Sequence, residues 1–345
     1  MKLKLSWLCA SAVLFLVGCG GQNDAGKANL SGQVGAVSTP TSVSHFAASR
    51  FLEQAAMGPS PASVAQVKAQ GMSAWIASQM SMTPTKILTP ASMQNYDDQL
   101  DKPAAERMRD FYYLNLYSTL IGGEDQLRIK SMWTLSNFLV ISTRKVAEFG
   151  ALEFFNMLQA HACGQYGDLL KSLTRNPAMG SYLDNGQNTR WQLNENYGRE
   201  LMQLFSVGLV QLNLDGTPKR DSSGKILETY SQKDVIEITR ALTGWNFVPN
   251  PTTLNTNRNW ANYDKPMIGD SNRHDTGSKS FLGKTIPAGQ TVEKDLDSLV
   301  DILVTHPNTA PFVSLRLIQG MTTSDPSPAY LQRVATVFRD TNGNL

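Results

Sequence analysis

Residues 194–208, NENYGRELMQLFSVG, decide how the rest of the chain is read. Tyr197, Leu201, Leu204, Phe205 and Gly208 fall at i, i+4, i+7, i+8 and i+11, which is one face of an amphipathic helix. Glu195 and Arg199 stand four residues apart on the flank of that face, as do Asn196 and Glu200, so each pair can meet on the helix surface. Asn194 is placed as the N-cap, and Glu195 in the first turn suits the positive end of the helix dipole. A helix start that gathers Asn, Glu, Tyr and Arg can hold a ligand, or it can consist of caps and intrahelical ion pairs.

Working outward, residues 234–245, DVIEITRALTGW, give a second helix with Val235, Ile238 and Leu242 on one stripe and Glu237 and Arg240 on the polar side. Gly244 marks its C-terminal stop. The intervening LVQLNLDGTPKRDSSGKILETY, residues 209–230, reads as a β-hairpin with Asp215-Gly216 and Ser223-Gly224 as turn signals. It is not a calcium loop. With Gly216 at the sixth position of an EF-hand, Ser222 would fall at the twelfth, where a bidentate Glu is required. Helices are also predicted over 46–57, 60–80, 104–121, 124–142, 144–160, 164–173, 177–183, 291–305, 308–320 and 327–339. Residues 246–280, which contain Trp260 and Tyr263, lack periodicity and are expected to be a long ordered loop over the central helix. The expected fold is mainly α, a multi-helix globular domain with one small β-hairpin and that loop.

These blocks carry a resemblance. NENYGRELMQLFSVGLVQLNLDGTPK, RALTGW and HDTGSKSFLG (residues 274–283) are similar to signature segments of a bacterial family, domain-of-unknown-function family 1800 (DUF1800). So are ASRFLEQAAMGPSPASV, LRIKSMWTLSNFLVIS, NPAMGSYLD and the stretch HPNTAPFVSLRLIQGMTTSDPSPAYLQRVATVF, in the same order. The resemblance runs over residues 45–345. It implies a large secreted or envelope-bound bacterial protein of unassigned activity, and it offers a co-encoded, secreted sulfatase-like protein as a candidate partner. In that family the turn RDTNGNL leads into more chain, so the domain is expected to be incomplete at its C-terminus.

The N-terminus points to the same compartment. Lys2 and Lys4 precede the apolar run LCASAVLFLVG, which is too short to span a bilayer and reads as a signal peptide over residues 1–18. Leu16-Val17-Gly18-Cys19 resembles a lipobox, in which Cys19 is lipidated and anchors the protein. Gly20 resembles the pattern for sorting to the outer membrane, facing the periplasm or the exterior. Residues 19–44, rich in Gly, Ala, Ser and Thr, form a flexible tether, and 45–345 the helical domain. The chain has 31 Lys and Arg against 29 Asp and Glu; losing Lys2 and Lys4 with the signal balances the charge. Nothing calls for nucleic acid, which needs a basic face. Of the 3 Cys, Cys9 leaves with the signal and Cys19 takes lipid, so Cys163 has no cysteine to pair with.

Candidate chemistry is sparse. The 4 His include no HExxH or other zinc spacing, and there is no CxxC, GxSxG elbow, SxxK or P-loop, so neither a metal nor a cofactor is expected. His274-Asp275 in a Gly-flanked loop is the strongest pair for base or ligand duty, although Asp275 could simply cap a turn. His161 is expected in the core and His306 in a turn. The run Asp295, Asp297, Asp301 is expected to be a solvated face. Two readings follow. In one, the chain is a membrane-tethered envelope lipoprotein that binds a protein partner or an envelope polymer. In the other it is a hydrolase of a polymeric or anionic substrate, with Glu195, Glu200, His274 and Asp275 catalytic and Asn196, Arg199, Arg240 and Trp245 binding substrate.

Overall fold

The computed structural model describes residues 42–88, 104–248 and 263–345. The signal, the lipobox with Cys19, nearly all of the tether and Trp260 lie outside them. The chain is mainly α: thirteen helices and two small antiparallel sheets among the described residues.

Helices α1 (His45–Ala55), α2 (Pro61–Gln70) and α3 (Met72–Ser81) close a small core of their own, where Trp75 meets Phe51 edge-on at 5.4 Å. The single helix expected over 60–80 is two, because Gly71 takes φ +84°, a conformation that costs a side-chain-bearing residue dearly. Ser60 caps α2 through a reciprocal bond with Ser63. Helices α4 (Ala104–Gly122), α5 (Gln126–Ser136), α6 (Glu148–Ala160), α7 (Tyr166–Arg175) and α8 (Pro177–Tyr182) contribute to the main core. Buried Gln79 joins the two units, donating to Glu124 O and accepting from Leu127 N.

The central helix α9 (Asn196–Gln203) is shorter than its apolar face implied. Its N-cap is Glu195, and Asn194 instead accepts from the Asn196 N–H at 3.1 Å. Its buried face lies against α10 (Gln232–Ala241), and Gly198 allows the approach: a Cβ there would stand 2.7 Å from Thr239 Oγ1. α10 starts earlier than the apolar stripe suggested, because Ser231 and Asp234 form a capping box.

Residues 209–230 are not a regular hairpin. Both turns form at Asp215-Gly216 and Ser223-Gly224, but three extended pieces meet in a ring: Gln211 N–H donates to Leu227 O, Leu227 N–H to Lys219 O, and Lys219 N–H to Gln211 O. The chain therefore closes on itself rather than running as a two-strand ladder. The regular strands lie later: β1 (Trp245–Asn246) with β2 (Ile268–Gly269), and β3 (Lys279–Phe281) with β4 (Lys284–Ile286). β1, at the start of the long loop, pairs with β2 within it. The loop's described flanks rest on α6, α8 and the 3-10 turn after α8, with Tyr263 against Phe149 and Gly150, Met267 against Gly180 and Phe247 against Gly186. Residues 249–262 lie outside the description.

Helices α11 (Val292–Thr305), α12 (Thr309–Met321) and α13 (Pro328–Asp340) follow. The last residues turn back, with Tyr166 N–H donating to Gly343 O at 2.7 Å and Leu345 N–H to Gly164 O at 2.9 Å.

Candidate functional site

The residues proposed from sequence separate into two clusters along α10. At its start, Glu195 and Arg199 form the expected i,i+4 ion pair at 2.7 Å, and Gln232 closes it from the facing helix. The Gln232 amide accepts from Arg199 at 3.0 Å and donates to Glu195 at 2.9 Å. Asn196 turns away from Glu200 and donates to Asp184, which also pairs with Lys145.

Eight residues further along α10, about 12 Å at 1.5 Å per residue, Arg240 makes a second cluster. Its Nε and Nη2 reach the Asp275 carboxylate at 2.8 and 3.2 Å, and Nη1 reaches Glu237 at 2.8 and 3.0 Å and Ser278 O at 3.1 Å. The guanidinium is thus occupied by acceptors of the protein itself, and the Arg240–Asp275 pair is about three-quarters buried. Burial pushes the Asp275 carboxyl up, but the Arg240 and Gly277 hydrogen bonds and the charges of Arg240 and Lys279 outweigh it and hold it below the usual range. Asp275 also accepts from Gly277 N–H at 2.8 Å, so it caps its own turn as well as tying two elements.

His274 does not line an open pocket. It is 1% exposed, its Nδ1 is 2.8 Å from Thr243 O, and its Nε2 lies 3.2 Å from Asp295 Oδ2. Asp295 has no exposure and also takes the fully buried Lys279, whose Nζ donates to Asp275 O as well. The expected solvated face is therefore corrected at Asp295, while Asp297 is half-exposed and pairs with Lys171 at 2.7 Å. The signal was present in the phase of the helix. Val292, Leu296 and Leu299 are buried, and Asp295 lies between them on the same stripe. Lys279 likewise shares the inward side of β3 with Phe281.

Glu200 stands apart from its expected partner. Its Oε2 is buried without a hydrogen-bond partner, as are the hydroxyls of Tyr230 and Thr229. Burial pushes the Glu200 carboxyl up, against the pull of Arg199. Burial also raises the Tyr230 hydroxyl, with Arg199 lowering it and Glu200 adding to the rise, so the three groups feel one another's charge. Trp245 is 1% exposed and lies under the Arg175 guanidinium at 5.9 Å. His161 caps the end of α6, its ring lowered by burial against the pull of Asp168, and His306 sits in a turn where its Nδ1 accepts from Asn308 N–H.

No sequence pattern marks Trp191. It is 68% exposed at the tip of a turn held by the Thr189 N–H to Gln192 O bond, with the Arg190 guanidinium 4.6 Å above its ring. Arg190 N–H donates to Arg273 O at 2.9 Å, which fixes the turn to the body. Exposed Gln192 and Asn196 and part-exposed Asn194 follow directly.

A cleft of ≈ 230 Å³ between α7 and α11, lined among others by Asp168, Lys171 and Asp301, contains none of the proposed residues. Among the described residues no group of three or more His, Cys, Asp or Glu is arranged to hold a metal ion, and no helix is long and apolar enough to cross a membrane. No curated protein and no solved structure matches the chain. The family described as "Protein of unknown function (DUF1800)" matches residues 50–345, and the chain belongs to it.

Proposed function

We propose that the protein is a lipid-anchored component of the bacterial cell envelope that binds a glycan-bearing envelope polymer, with the Trp191 turn as its contact point. One observation carries the reading: a large aromatic ring stands in solvent on a turn tied to the body while most of the proposed catalytic groups are engaged inside the protein. Trp191 keeps 68% exposure in a turn fixed by backbone bonds to Gln192 and Arg273. An indole face covers the apolar face of a sugar ring, and adjacent amides from Gln192, Asn194 and Asn196 supply hydrogen-bond partners for its hydroxyls. By contrast, Arg240 and Asp275 spend their hydrogen bonds on one another and on Glu237, Gly277 and Ser278. The anchor rests on the sequence at Cys19, and a co-encoded sulfatase-like protein is a candidate partner through the family resemblance.

Titrating the full chain with soluble envelope polysaccharide while following tryptophan fluorescence tests this. Saturable quenching that is lost in Trp191→Ala supports the proposal, and equal quenching in that variant refutes it.

A second reading rests on Glu200. A carboxyl raised by burial, with one oxygen unpartnered and its charge felt by the Tyr230 hydroxyl, suits a general acid of a hydrolase. It requires Glu200→Gln to abolish release of soluble fragments from the polymer.

A further inference from the structure

We propose that Lys279 and Asp295 condense to a side-chain amide, an intramolecular isopeptide bond that joins β3 to α11. Three observations carry the inference, and none of them depends on the polymer-binding reading.

The first is burial. Lys279 and Asp295 both have no solvent exposure, and the Lys279 Nζ touches Asp295 Oδ2. They lie where β3, α10 and α11 meet, among elements whose buried residues include Ile238, Leu242, Phe281, Leu296 and Leu299. An ion pair removed from water costs more in desolvation than a neutral group, so replacing the pair by a neutral amide relieves that cost. The amine and the carboxyl are the two reactants of amide formation. Held in contact by the fold, they react as one molecule, without the entropy loss of an encounter.

The second is the limited set of other partners. The Nζ has one further acceptor, the Asp275 backbone carbonyl. That contact points the amine without competing for its nucleophilic role, since a carbonyl cannot donate a proton. The second Asp295 oxygen, Oδ1, is met by the Gln290 amide at 3.2 Å when its nitrogen faces the carboxyl, a donor suited to charge building on that oxygen during attack.

The third is His274. Its Nδ1 faces the Thr243 carbonyl, which can only accept, so Nδ1 carries the hydrogen. Nε2 is then left toward Asp295 Oδ2 at 3.2 Å, off the hydrogen-bond line and without another partner. A ring so held can take a proton from the attacking amine and return it to the departing oxygen.

The step balances without an external reagent. The Lys279 ammonium and the Asp295 carboxylate lose one water between them. The nitrogen forms a bond to the carboxyl carbon, the C–Oδ2 bond breaks, and Oδ2 leaves as water carrying two protons from the former ammonium. Neither oxidant nor reductant is involved. The bond would cross-link residues 16 apart in a region that contains no cysteine.

The test is a tryptic map of the full chain by mass spectrometry after denaturation and reduction. The expected result is a branched species, one water lighter than its parts, in which residues 274–284 are joined through Lys279 to residues 295–316. Asp295→Asn should give the same branched species with loss of ammonia in place of water, and Lys279→Arg should give none. His274→Ala should carry a smaller branched fraction than the parent chain in protein sampled soon after synthesis. Cleavage after Lys279, with residues 274–279 and 295–316 recovered as linear peptides from folded protein, overturns the proposal and leaves an ordinary buried ion pair. Because the parent chain alone decides this, a variant that fails to fold does not blunt the test.

Discussion

Replacing Arg240 with Ala tests whether the second cluster is architecture. The substitution removes two hydrogen bonds to Asp275, two to Glu237 and one to Ser278 O. It leaves two carboxylates of low exposure, 16% and 22%, without their shared cation. A fully buried pair broken in this way costs about 3–5 kcal/mol, and the residual exposure here lowers that to roughly 2–4 kcal/mol. At about 2–4 °C per kcal/mol, the midpoint of thermal unfolding should fall by roughly 4–16 °C. The pH dependence sharpens the test. The Asp275 carboxyl is held below its usual range in the folded chain, so its stabilisation is complete above the unfolded value and disappears as pH falls through the folded one. The difference between parent and variant should therefore be large at pH 7 and shrink in acid below about pH 4. Urea unfolding at both pH values measures it, with Arg240→Lys intermediate because the ammonium keeps the charge but not the fork. A cost below about 0.5 kcal/mol, within the range of an ordinary surface change, or one that does not vary with pH, would refute the reasoning.

Other consequences are equally direct. Glu200→Gln should stabilise the fold at neutral pH and have less effect in acid, because burial raises the folded carboxyl and the parent is penalised only where the unfolded chain ionises it; a thermal scan at two pH values reads this. Gly198→Ala should cost about 1–3 kcal/mol by forcing α9 from α10, since the added Cβ would meet Thr239 Oγ1 at 2.7 Å. Tyr166→Phe should cost about 1–3 kcal/mol, because the Tyr166 hydroxyl donates to Phe205 O inside the core and its loss leaves that carbonyl unpaired. Trp191→Ala should leave stability within about 0.5 kcal/mol of the parent, as expected for so exposed a side chain.

What the sequence disclosed followed the range of the interaction. Helices were legible wherever a period and a cap were local, as at Ser60-Pro61, and so was the Glu195–Arg199 pair, whose partners are one turn apart. The break at Gly71 was missed because one glycine inside an apolar pattern does not announce a positive φ. In residues 209–230 the two turns were legible but their assembly was not, since a ring of three extended pieces uses the same turn residues as a hairpin. Asp295 shares its acidic run with Asp297 and Asp301 but its helical phase with Val292 and Leu296, and its partners Lys279 and His274 come from segments 16 and 21 residues away. Arg240 was legible as an anion binder and Glu237, one turn before it, as a local partner; that Asp275 is its second anion depended on the chain's return after β2. Trp191 escaped because a single aromatic in a polar turn has no periodicity, and its exposure is a property of the folded surface alone.

The most direct test of the central claim mixes the full chain with insoluble envelope polymer, pellets it, and measures protein in the pellet and sugar fragments in the supernatant. The account predicts that the parent and Glu200→Gln sediment with the polymer, that Trp191→Ala stays in solution, and that no fragments appear. Release of fragments by the parent but not by Glu200→Gln, with Trp191→Ala still sedimenting, would contradict it and make the chain a hydrolase.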